Sequence, residues 1–172
     1  MSPDCLWMNW KKRFDRWAEF AKMPEKVCLQ ANGILIHPIH SDYMVGILLL
    51  MHEPLAEAFM TTAMHLFEGE QERIEAIDVK ADQDICDVNR MALDAIRRLD
   101  DGSGVLVLTD ILGGTPSNCC HQLSVEHRVQ VIAGVSLPML LRAITYRKND
   151  LETVIEKALS GGKNGAVRID PC

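Results

Sequence analysis

A histidine and an aspartate stand where two apolar runs stop, and that placement is the sharpest chemical signal in the chain. Ile47 to Met51 is continuously apolar and ends at His52, followed by Glu53-Pro54. Val105 to Leu108 is apolar and leads through Thr109 to Asp110, Gly113, Gly114, Thr115 and Pro116. Short apolar runs bounded by turn residues fit buried parallel strands. A neutral imidazole nitrogen is a good nucleophile near neutral pH. A carboxylate on the other ring nitrogen fixes the tautomer and stabilises charge on the ring, and Asp110 can do this for His52 if the two strands are neighbours. Thr115 reads as a helix N-cap with Pro116 in the first turn, so backbone N–H groups around Gly113, Gly114 and Thr115 form an anion cradle. Phosphoryl transfer needs in-line positioning and charge stabilisation, and nucleophile, orienting group and cradle are all nameable here. Taken singly, each has a blander origin: a surface histidine, a turn-forming aspartate, a tight strand-to-helix turn.

The elements that must carry these groups alternate. Strands are expected at 45–51, 74–79, 105–109 and 129–135, with helices at 54–68, 84–100, 116–125 and 137–146 between and after them. Asp84 caps the second helix, and Asn149 or Asp150 caps a last one that Gly161-Gly162 closes after Ser160. Ala166 to Ile169 reads as a final short strand, antiparallel at an edge. Alternating strands and helices imply an α/β fold with a mostly parallel sheet and helices on both faces. In such sheets, sites form at the carboxyl ends of strands where the strand order reverses.

Composition bounds the rest. The chain has 172 residues, 48% hydrophobic and 24% charged, with a net charge of -6. That fits one ordinary acidic domain, and the charge sign and lack of a basic stripe argue against a nucleic-acid partner. Six cysteines include no C-x-x-C pair and read as reduced thiols of a cytosolic protein. No apolar run approaches the ~20 residues that a membrane span needs. Residues 1–43 form an N-terminal extension, helical or poorly ordered, ahead of a domain at 44–172. Trp7, Trp10, Phe14, Trp17 and Ala21 make an amphipathic stripe interrupted by Lys11, Lys12, Arg13 and Arg16. A membrane-surface helix has this pattern, but a docked helix or an untied leader is the plainer reading. His37 and His40 bracket Pro38 without a third ligand nearby and are not read as a metal pair.

Competing chemistries lack their motifs. The chain contains no nucleoside triphosphatase loop, dinucleotide fingerprint or G-x-S-x-G elbow. His65, His121 and His127 have no metal-ligand spacing. An aspartyl receiver needs an acidic cluster at the end of its first strand, and here Met51-His52-Glu53 offers one acid.

The block from Val45 through His52 to Ala56, the Asp-x-x-Gly-Gly-Thr-Pro-x-Asn block at 110–118 and the Ala-Gly-Val-x-Leu-Pro-Met block at 133–139 together resemble the IIA component of the mannose-type sugar phosphotransferase system. The resemblance covers about Met44 to Ile169. It implies a flavodoxin-like three-layer sandwich of four parallel strands, with a C-terminal antiparallel strand exchanged across a homodimer. It further implies a cytoplasmic phosphocarrier whose His52 accepts a phosphoryl group from the histidine phosphocarrier HPr and passes it to a IIB component, with no metal or organic cofactor. By the same resemblance Asp110 orients His52, and Gly113, Gly114 and Thr115 lie against the phosphate. The residue before the histidine is often Thr or Ser in that family and is Met51 here. A regulatory phosphoprotein of the same fold, controlling a partner through His52 without sugar transport, is the alternative.

Overall fold

A computed structural model describes residues 44–68, 71–123 and 128–169. The tryptophan stripe, His37, His40 and His127 lie outside these residues. β1 (Gly46–His52), β2 (Ile74–Val79), β3 (Val105–Thr109) and β4 (Val129–Ala133) form one sheet in the order β2-β1-β3-β4. Every pairing is parallel. Five helices accompany them: α1 (Leu55–Leu66), α2 (Ile85–Leu99), α3 (Thr115–Leu123), α4 (Leu137–Tyr146) and α5 (Leu151–Gly165). None of the helices among the described residues is long and apolar enough to cross a membrane.

Strand periodicity divides the core into two layers. Val45, Ile47, Leu49 and Met51, with Leu106 and Leu108, face α1, α4 and α5 through Ala56, Met60, Leu140, Ala143 and Val154. Leu48, Leu50, Val105 and Val107 face the other way, onto Val88, Ala92, Ile96 and Leu99 of α2 and Cys119 of α3. Ile47 to Met51 are completely buried, as expected for a central strand covered on both faces.

Caps set the helix starts. Asp84 accepts the Cys86 amide at 2.7 Å and Asp150 accepts that of Thr153 at 3.0 Å. Before α1 stands Pro54, which has no capping side chain, and its helix is capped from outside: Asp78 on β2 accepts the Ala56 amide at 2.8 Å.

Three expectations need correction. α5 does not stop at Ser160 but continues through Gly161-Gly162 to Gly165. These glycines permit close packing: a Cβ on Gly161 would lie 2.6 Å from the Pro138 carbonyl oxygen, and one on Gly165 2.6 Å from the Pro138 ring. β4 ends at Ala133 rather than 135, because Gly134 turns the chain at φ +80° and the Val135 amide bonds the Thr109 carbonyl. Ala166 to Ile169, expected as a fifth strand, is not a strand among the described residues, and Val167 and Ile169 are largely exposed.

Candidate functional site

The strand order places the site. From β1 the chain crosses through α1 to β2 on one side, while β3 and β4 add on the other, so the order reverses between β1 and β3. A crevice opens at the carboxyl ends of strands at such a point. Register pairs Leu49 with Leu108, which brings the last residue of β1, His52, level with the first residues beyond β3.

His52 and Asp110 meet there. The His52 Nδ1 and Asp110 Oδ2 atoms are 2.7 Å apart, across 58 residues of sequence. The imidazole is 40% exposed and the carboxylate 17% exposed, so the ring is accessible while its partner is sheltered. Burial alone raises the Asp110 pKa, but the His52 hydrogen bond and charge outweigh it. The amides of Asp110 and Ile111 add to this, and the carboxyl is held below its usual range. An ionised Asp110 is acceptor-only, so in the neutral form of the ring the proton sits on Nδ1 and the lone pair on Nε2.

The Gly113-Gly114 turn packs directly on the ring. A Cβ on Gly114 would lie 2.8 Å from His52 Cε1 and 3.5 Å from Nε2, which only glycine avoids. Gly113 takes φ +83°, the left-handed region. α3 begins at Thr115 itself, one residue earlier than the N-cap role expected for it. Gly114 therefore precedes the helix, and its carbonyl accepts the Asn118 amide at 3.0 Å. The three cradle residues expected from sequence thus lie together beside His52, but their amides are not equivalent. Gly113 donates its N–H to Ser117 Oγ at 2.8 Å. The Gly114 and Thr115 amides meet no acceptor among the described residues, as at any helix start.

Two participants escaped the sequence reading. Ser117, 8% exposed, bonds both glycines of the turn, donating from Oγ to the Gly114 carbonyl at 3.1 Å. It stands three residues after the pre-helix Gly114, where a capping-box residue stands, but its bonds go to the Gly113 amide and the Gly114 carbonyl, a role that no local pattern announces. Asp78 anchors the start of α1, and since its target is distant in sequence no local pattern announces it. Among the described residues no cluster of three or more His, Cys, Asp or Glu could hold a metal. Cys86 and Cys119 are free thiols, and His65 lies exposed in the last turn of α1.

With the geometry in place, comparison with known proteins is direct. Residues 46–159 match the family described as "PTS system fructose IIA component". The mannose-specific EIIAB component of the phosphotransferase system in Escherichia coli strain K12 is 31% identical over 124 residues, covering 70% of this chain and 38% of that protein. The chain thus spans less than half the length of such EIIAB relatives. The fructose-specific EIIA component of Bacillus subtilis strain 168 is 27% identical over 107 residues, covering 62% of this chain and 73% of that one. Among solved structures, the phosphotransferase system component EIIA from Streptococcus agalactiae superposes with a TM-score of 0.66 at 28% identity, covering 73% of this chain and 97% of that one.

Proposed function

Because the chain belongs to the mannose-type IIA family of the sugar phosphotransferase system, we propose that it is a histidine phosphocarrier in which His52 takes a phosphoryl group from phospho-HPr and passes it to a IIB component. The observation that carries this reading is the 2.7 Å pair of His52 and Asp110, with Nε2 beside the Gly114 turn.

The chemistry follows from that tautomer. The Nε2 lone pair attacks the phosphorus of the donor's phosphohistidine. A P–N bond to His52 forms as the P–N bond to the donor ring breaks, and the donor nitrogen departs with the electron pair. No proton moves in the transfer itself. Nδ1–H stays on Asp110, whose charge balances the positive charge that develops on the His52 ring. The Gly114 and Thr115 amides, at the positive end of α3, are available to the phosphoryl oxygens. Transfer to the IIB component is the same displacement with His52 as the leaving group.

The reading includes a cytoplasmic setting and a homodimer. Ala166 to Ile169 would add to the sheet of a second copy, since Val167 and Ile169 are apolar and largely exposed.

The test is phosphoryl transfer from phosphoenolpyruvate through enzyme I and HPr to the purified protein, read by intact mass beside His52→Ala. The expected result is one phosphate on the wild type, absent from the variant, lost in acid and stable in base. An acid-stable, base-labile adduct would point instead to an acyl phosphate on a carboxylate. No adduct under conditions that label a known acceptor overturns the carrier role.

A further inference from the structure

We propose that Ser117 is a positioning residue for phosphoryl transfer at His52, holding the glycine turn so that the cradle presents the amides of Gly114 and Thr115 and withholds that of Gly113; this rests on the phosphocarrier reading.

The start of α3 holds two conflicting demands. A helix start is best served by a Ser, Thr, Asp or Asn whose side chain caps the first turn. Here the residue before the helix must be glycine, because any side chain at 114 would strike the His52 ring at 2.8 Å. Nothing at 114 can therefore cap the helix, and Gly113, in the left-handed region, adds another flexible joint directly before it. Two successive glycines beside a nucleophile are a poor way to aim amides unless something else ties them.

Ser117 supplies the tie from inside the first turn. Its Oγ accepts the Gly113 N–H at 2.8 Å and donates to the Gly114 carbonyl at 3.1 Å. One buried hydroxyl thus fixes the peptide on each side of the joint. Asn118 supports the same turn, its exposed Nδ2 donating to the Gly113 carbonyl at 3.3 Å. The accounting of donors then decides the cradle's composition. Gly113's N–H is spent internally, whereas those of Gly114 and Thr115 remain for a phosphoryl group on Nε2. Placement of such donors matters steeply, since an error of about 1 Å in an aligned site costs about 10²-fold in rate.

Three measurements on the full chain test this. In amide NMR spectra, phosphorylation of the wild type should shift the Gly114 and Thr115 resonances strongly and leave Gly113 nearly unmoved and slow to exchange; a Gly113 shift as large as the others overturns the proposal. Ser117→Ala should transfer phosphate from phospho-HPr about 10-fold more slowly at saturating donor, with the apparent KM for the donor within about twofold. Ser117→Thr, whose hydroxyl can reach the same carbonyl three residues back, should restore most of the rate. A Ser117→Ala protein that transfers at the wild-type rate overturns the proposal, as does a Ser117→Thr protein that is folded but no faster than Ala. If Ser117→Ala does not fold, the NMR result and the Thr variant decide. Failure of the wild type to take phosphate at all would sink the carrier reading itself, which is a different outcome.

Discussion

At the scale of single residues, the proposed transfer depends on two groups, His52 and Asp110, that would do different jobs through one hydrogen bond. Replacing Asp110 with Asn keeps the size but allows an amide N–H to face Nδ1, which moves the ring proton to Nε2 and blocks the nucleophile. Asp110→Asn should therefore slow phosphorylation of His52 by at least about 10²-fold, measured by rapid quench with labelled phospho-HPr, while the thermal midpoint changes little. The same pair carries a pH signature. Asp110 is depressed below its usual range in the folded state, so its contribution to stability is complete above the unfolded carboxylate value and is lost as pH falls through the lower folded one. Urea titrations from pH 6 downward should show wild-type stability declining through the acid range, with a shallower decline in Asp110→Asn. Both residues were legible because each stops an apolar run. Ser117 was not singled out, because its role becomes visible only once Gly114 is known to lie against the imidazole and so to be barred from carrying a cap.

At the scale of elements, the strand and helix pattern was readable because apolar runs, caps and turn residues agree with one another from Gly46 to Tyr146. Gly161-Gly162 broke that agreement. A glycine pair after a helical pattern ordinarily signals its end, yet here the helix needs glycine to reach Pro138 and Met139 of α4, a requirement set by a neighbouring element and invisible along α5 itself. The two effects make opposite predictions for Gly161→Ala. Helix propensity alone would stabilise by about 1 kcal/mol. The added methyl, however, would meet the Pro138 carbonyl oxygen at 2.6 Å, and overpacking against backbone costs about 1–3 kcal/mol. Urea unfolding should show Gly161→Ala less stable than wild type, whereas Lys163→Ala on the exposed face of the same helix should stay within about 0.5 kcal/mol. A Gly161→Ala protein more stable than wild type would mean that the two helices can part without cost.

For the whole molecule, the decisive feature is a sheet edge that is unpaired among the described residues. There β4 pairs with β3 on one side only, and Gln130 and Val131 are exposed along it. An open edge with apolar side chains is a template for another strand. Directly after α5, Ala166 to Ile169 offers extended backbone at Ala166 and two of the most exposed apolar side chains among the described residues. Composition marks this segment as strand-forming, but only the family resemblance supplies a second copy as its partner, since a pairing of that kind would leave no trace in the periodicity of one chain. Removing residues 166–172 deletes the proposed exchange and leaves His52, Asp110 and the glycine turn in the chain. The full chain is expected to sediment at twice its 19.3 kDa mass, and the truncated chain as a monomer. Phosphorylation of His52 should survive in the monomer, because Asp110, Ser117 and the glycine turn all come from the same copy as the histidine. A truncated protein that remains dimeric would show that the assembly is held by another face. A monomer that cannot be phosphorylated, although folded, would show that the site draws on the second copy.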